Sequence, residues 1–195
     1  MIAVATEPNM QINVIEYFEN GALRKCPQKL AVKDASRECT FADLERFAKN
    51  CAALILKRTR ARNRPIPVFL GKGAENIVAD MGILYSANAY ANLDVKSPPQ
   101  RLQGMLQNLE PEVIITSAAH AAVLRGLQIP EEKLLLIEQA MVGESFYDNA
   151  ALLRRIEPVI DTDPYCVIHT SGSTGVPKGV ALNHRSTIDF VDLAF

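Results

Sequence analysis

The chain has 195 residues, 48% of them hydrophobic and 22% charged, which suits one globular domain or one and a half with a core that needs neither metal nor disulfide. A formal net charge of −1 leaves no cationic surplus for neutralising a run of phosphates, which argues against nucleic acid as the main partner. Cys26, Cys39, Cys51 and Cys166 form no CxxC pair, and His120, His169 and His184 complete no ligand set, so metal and dithiol chemistry have no framework and reduced thiols are expected.

The opening MIAVATEPNM lacks a basic start and a long apolar run, so no signal peptide is expected, and the apolar stretch at Met81 to Leu93 is too short and too often interrupted by Asn to cross a membrane. A cytoplasmic protein follows. A first helix is predicted over Asn13 to Lys25, where Ile15, Phe18 and Ala22 recur at helical spacing and Pro27 follows. Lys29 to Lys33 reads as a short strand and Ser36 to Glu38 as a turn. Thr40 can cap the next helix, with Asp43 three residues on in capping-box position. Leu44, Phe47, Ala48, Cys51, Leu54 and Ile55 then keep one face apolar as far as Lys57. Cys51 on that face and Cys166 in a later strand are read as small buried hydrophobes. Lys57, Arg58, Arg60, Arg62 and Arg64 crowd the helix exit, where cations complement the dipole; a solvated helix end is the reading preferred over an anion-binding patch.

Pro65 to Leu70 is predicted as a buried strand, Ala74 to Ala87 as a helix, and Tyr90 to Asp94 as a short extended piece. Ser97, Pro98 and Gln100 carry three start signals for a helix whose stripe is Leu102, Met105, Leu106 and Leu109. Strand, helix and strand follow at Glu112 to Thr116, Ala118 to Arg125 and Lys133 to Ile137. Gln139 to Asn149 is the least structured stretch, and Asp148 to Arg155 a weaker helix. Tyr165 to Thr170 and Gly179 to Leu182 are strands, with a helix from Arg185. Short apolar strands alternating with amphipathic helices imply an α/β fold, a mostly parallel layered sheet with helices on both faces.

Between the last two strands stands TSGSTGVPKG, Thr170 to Gly179, with three Gly, two Ser, two Thr and one Lys. It is not a Walker loop, because the Lys follows Pro177 and leads into a strand. Its chemistry still suits a polyphosphate. Gly172 and Gly175 let backbone N–H groups approach an anion, and Thr170, Ser171, Ser173 and Thr174 add hydroxyl donors. Lys178 adds a point charge that cannot neutralise a triphosphate alone, so N–H groups, hydroxyls and Mg²⁺ must share the task. Gly and Ser are also linker residues, and from composition alone a plain surface loop is the competing reading.

Those ten residues resemble the phosphate-loop signature of the adenylate-forming (AMP-binding) enzymes. Cys39 to Asn50, Gly82 to Leu106 and His184-Arg185-Ser186 are similar to three further motifs of that family, and the likeness runs from about Asn13 to Phe195. Ala89-Tyr90 with Leu93-Asp94, and Pro98 with Arg101-Leu102, resemble the amino-acid-activating branch: adenylation domains of nonribosomal peptide synthetases and D-alanine–carrier protein ligases. Acyl-CoA synthetases are the alternative. Asn92 stands where Pro is usual and His169 where Tyr is common; Asp94 and Arg101 are read as structural.

The resemblance implies a partial AMP-binding domain: an N-terminal subdomain over about 1–160 and the phosphate-loop start of the next over about 161–195. It implies ATP and Mg²⁺ as cofactors of the full-length enzyme. The reaction implied is activation of a carboxylate, an amino acid foremost, as acyl-AMP with loss of pyrophosphate, then transfer to the phosphopantetheine thiol of a carrier protein or to CoA. Thr170, Ser171, Gly172, Ser173, Thr174, Gly175 and Lys178 are the implied nucleotide-binding residues. The catalytic Lys of the family would lie beyond Phe195, with the adenine, metal and substrate motifs. The 195-residue chain by itself is therefore expected to be inactive and to need the missing C-terminal portion. A non-catalytic split or degenerate module, docking with a complementary chain or carrier protein, is the second reading; an exposed apolar stripe at Phe190, Val191, Leu193 and Phe195 would await a missing subdomain or a partner. A generic dinucleotide-binding fold is disfavoured by the lack of a GxGxxG.

Overall fold

The computed structural model describes residues 11–170 and 178–194. Asn13 caps a short helix α1 (Val14–Phe18) by accepting the N–H of Glu16. The single helix expected to Lys25 is instead broken: a wider turn covers Glu19–Leu23, and Gly21 leaves the helical region at ψ −108°. Glycine's backbone freedom makes that break inexpensive. Strands β1 (Leu30–Lys33) and β2 (Glu38–Thr40) pair as an antiparallel hairpin. Its turn is Asp34 to Arg37, one step earlier than expected, because Asp34 Oδ1 accepts from the N–H groups of Ser36 and Arg37 and leaves Glu38 in the strand.

Helix α2 (Phe41–Leu56) opens with the expected reciprocal box: Thr40 Oγ1 accepts the N–H of Asp43, and Asp43 Oδ2 accepts that of Thr40. Next come β3 (Pro65–Phe69), α3 (Ala74–Tyr85), β4 (Ala89–Asn92) and α4 (Pro99–Leu109). Ser97 does not cap α4. Pro98 holds the cap position at φ −55°, ψ 144°, with no side-chain cap bond. The reason is local: Pro99 bars its predecessor from helical ψ, so the helix cannot begin before residue 99. The Ser97 N–H instead closes a turn onto the carbonyl of Asp94. The chain continues through β5 (Ile114–Thr116), α5 (Ala118–Gly126), β6 (Leu134–Leu136), α6 (Asn149–Ile156), β7 (Pro164–Thr170), β8 (Lys178–Asn183) and α7 (His184–Ala194).

The main sheet has the order β6-β5-β3-β4-β7-β8, parallel throughout except for the final β7–β8 pair. Pro65 and Pro67 are tolerated in central β3 because β5 pairs only with Val68 and Phe69, leaving the prolines with a partner strand on one side. Alternation sorts the strand residues into two cores. Ile66, Val68, Ile115 and Leu135 face α2 and α3, whereas Phe69, Ala91, Ile114 and Leu134 face α4 and α5. Both faces are covered, as a parallel sheet requires. Helices α2 and α3 pack so closely at Gly82 that a Cβ there would lie 2.6 Å from Cys51 Cβ and 2.9 Å from the carbonyl of Ala48. A third cluster joins Ile15 of α1 and Leu152 and Ile156 of α6 to the outer side of α2 and α3. Cys51 and Cys166 are both buried, as expected of small hydrophobes.

The stretch read as least structured is anchored. Asn50, fully buried in α2, donates from Nδ2 to the carbonyls of Ala140 (3.1 Å) and Glu144 (2.9 Å) and accepts the N–H of Phe146 (3.1 Å). Lys49, also buried, pairs with Glu45 and Glu19 and reaches Asn149 Oδ1. Burial opposes its charge, but the two glutamates outweigh burial and raise its pKa.

Candidate active site at the carboxyl ends of the sheet

Strand β3 runs into α3 on one face of the sheet, and β4 runs into α4 on the other. Neighbouring strands that part to opposite faces leave a crevice beyond their carboxyl ends, the usual ligand position in open α/β sheets. Here a cavity of about 340 Å³ opens beside β4, β7 and the start of α4, lined among others by Tyr90, Asn92, Asp94, Ser97, Arg101 and His169.

The β7–β8 hairpin forms one wall. His169 stands opposite Gly179 and Thr170 opposite Lys178, so Thr170 and Lys178 flank the mouth of the segment 171–177. The Thr170 hydroxyl donates to the carbonyl of Lys178 at 3.4 Å. A Cβ on Gly179 would stand 3.0 Å from Val167 Cγ1, which explains glycine at the end of the motif by the closeness of the two strands. Thr170 and Lys178 are exposed. Ser171, Gly172, Ser173, Thr174 and Gly175, the other expected nucleotide-binding residues, lie outside the described residues.

His169, which departs from the Tyr common in the family, lines the cavity with a buried Nδ1 that has no hydrogen-bond partner among the described residues. Burial lowers its pKa and the Arg101 charge lowers it further, which favours the neutral ring. Arg101 and Asp94, read from the sequence as structural, line the same cavity. A signal for Arg101 was present: it is the third residue of α4, where a cation opposes the helix dipole and gains nothing from helix electrostatics. Asp94 also serves its own turn, accepting the Lys96 N–H on Oδ1 at 2.9 Å.

Two nearby groups are structural. His184 is buried, accepts the N–H of Val14 on Nδ1 at 3.2 Å, and so ties α1 to the start of α7; burial lowers its pKa. Arg185 pairs with Asp161. Among the described residues no group of three or more His, Cys, Asp or Glu gathers as metal ligands. No helix among them is long and apolar enough to cross a membrane. Phe190 and Leu193 of α7 are 69% and 88% exposed, and Ile168 and Val180 share one face of the hairpin with about half their surface open.

The AMP-binding enzyme family model matches residues 18–194. The nonribosomal peptide synthetase dtxS1 of Metarhizium robertsii is 33% identical over 173 residues, which take in 85% of this chain and 2% of that protein. Tyrocidine synthase 1 of Brevibacillus parabrevis is 26% identical over 173 residues, 89% of this chain and 15% of that protein. This chain is thus a small part of the length of these relatives. Among solved structures, the nonribosomal peptide synthetase FmoA3 with α-methyl-L-serine–AMP bound superposes with a TM-score of 0.76 at 25% identity, over 95% of this chain and 19% of that one. On these matches, the chain belongs to the AMP-binding enzyme family.

Proposed function

We propose that this chain is part of an ATP-dependent adenylating enzyme that activates a carboxylate, an amino acid foremost, as acyl-AMP and passes it to a carrier-protein or CoA thiol. In this reading residues of about 1–160 form the N-terminal subdomain, and about 161–195 begin the next. The carrying observation is the family match over residues 18–194, with the loop TSGSTGVPKG set between β7 and β8 at the sheet's carboxyl end.

Thr170 and Lys178 flank that loop and are assigned, with Ser171, Gly172, Ser173, Thr174 and Gly175, to the β- and γ-phosphates. Lys178 and the loop donors stabilise the charge that develops as pyrophosphate leaves. Arg101, whose positive charge is felt at His169, extends the positive field along the cavity wall toward the hairpin. His169, kept neutral, shapes that wall without adding a second charge. No step is assigned to Mg²⁺. The exposed Phe190 and Leu193 support a chain that works within a larger protein, and they equally favour the second reading, a non-catalytic module that docks through α7.

Amino-acid-dependent ATP–pyrophosphate exchange by the full-length protein tests the enzyme reading. Exchange is expected, and Lys178→Ala should lower its rate by about 10²–10³-fold, the usual loss for one oxyanion-stabilising donor. No exchange with any carboxylate, or an unchanged rate in Lys178→Ala, would overturn it and leave the docking reading. The 195-residue chain alone is expected to show no adenylation; tight, adenine-selective ATP binding in calorimetry would contradict that.

A further inference from the structure

The end of the sheet opposite the cavity carries a cationic face. Residues 57–64 leave α2 and enter β3 there, and the last turn of α6 lies against them. Arg155 of α6 builds the face. Its Nε donates to the carbonyl of Ser86 at 2.9 Å, and its Nη2 donates to the carbonyls of Ala61 and Arg60. These bonds pin the loop so that Arg60 and Arg62 stand beside Arg155. Burial lowers the Arg155 pKa, and the charges of Arg62 and Arg60 lower it further: the neighbours acting on it are cations.

Arg60, Arg62 and Arg154 are exposed, and among the described residues none of them enters an ion pair. Two carboxylates of the neighbouring segments are engaged elsewhere. Glu112 takes the Thr59 hydroxyl, and Asp163 takes the Asn63 amide and the Ile160 N–H. Lys57 and Arg58 are also used locally, over the Phe146 ring and on the carbonyl of Leu134. A solvated helix exit accounts for Lys57 and Arg58. It does not account for Arg60 and Arg62, exposed and without an ion pair among the described residues, on a loop that Arg155 ties down.

We propose that the face formed by Arg60 and Arg62, beside Arg155, docks an acidic segment of a partner protein. Guanidinium forks match carboxylates in bidentate geometry. Nucleic acid fits less well. Among the described residues no ring stacks with these arginines, although single strands are held largely by base stacking. A duplex site would need a wider basic stripe than this, on a chain whose net charge is −1.

Fluorescence anisotropy with the whole 195-residue chain and a labelled oligoglutamate peptide tests the proposal, with a thymidine oligonucleotide of equal charge as the rival probe. The peptide should bind, and affinity should fall as salt rises from about 0.05 to about 0.3 M. Arg60→Glu/Arg62→Glu should weaken it by about tenfold or more, and Arg60→Gln/Arg62→Gln by less, at unchanged melting temperature. Arg24→Glu/Lys29→Glu changes the net charge equally, at exposed positions elsewhere, and should weaken it by less than about twofold. Equal losses in the two Glu pairs would mean that total charge alone is read. That result, no peptide binding, or tighter binding of the oligonucleotide would each overturn the proposal.

Discussion

Asn50→Ala tests how the segment between β6 and α6 is held. Asn50 sits in mid-helix on α2, fully buried, and makes three hydrogen bonds to backbone groups of that segment. The Ala140 carbonyl is in a buried bond, so orphaning it costs about 1–3 kcal/mol. The Glu144 carbonyl and the Phe146 N–H are partly accessible and can rehydrate, so each loses only the net value of a bond, about 0.5–1 kcal/mol. Urea unfolding at neutral pH should therefore show a loss of about 2–5 kcal/mol, or a melting shift on the order of 10 °C. Amide exchange at Phe146 should rise more than at the α2 core. Asn50→Asp should be worse than alanine: it keeps the acceptor for Phe146 but sets a carboxylate against two carbonyl oxygens. An alanine variant within about 0.5 kcal/mol of the parent would refute the anchoring argument, as would an aspartate variant as stable as the parent.

Thr40→Ala removes the α2 cap and should cost about 1 kcal/mol in chemical unfolding. Burial opposes the Asp43 charge, but hydrogen bonds from Thr40 and the Arg46 charge hold its pKa below the ordinary value. Its contribution is thus present above the unfolded carboxylate pKa and lost as pH falls through the folded value, so the Thr40→Ala deficit should narrow in acid. A deficit independent of pH would break that link. Asp80 behaves in the opposite sense. Burial raises its pKa from 3.8 to about 7 against the opposing Asn92 amide, and its Oδ1 is buried without a partner among the described residues. The folded state then holds the extra proton between those values, so stability falls as pH rises through that window. Asp80→Asn should be more stable than the parent at pH about 8, with the gain fading toward pH about 4; equal stability at both would contradict the burial argument. Gly82→Val should destabilise by about 1–3 kcal/mol or more, because α2 and α3 must part; a variant that melts with the parent would show that the contact yields freely.

Neighbour-range chemistry made much of this legible. The Thr40–Asp43 box, the apolar stripe of α2, the alternating strands and the motif from Thr170 to Gly179 each act within a few residues, so their patterns survive in one dimension. Even the misplaced start of α4 was decided locally, by Pro99 acting on Pro98. The site was only half legible. The motif from Thr170 to Gly179 could be read as a string, whereas His169 and Arg101, 68 residues apart in number, look unrelated until β7 is laid beside α4.

The amino-acid order by itself therefore determined the α/β class and the family, because propensity, periodicity and a contiguous motif need no distant partner. Tertiary structure alone decided the rest: that Asn50 holds a segment some ninety residues away, that Lys49 meets Glu19, that Asp80 meets Asn92, and that Arg155 lashes the loop at Arg60. A buried polar group is defined by its partner, and the chain must turn back on itself before that partner exists.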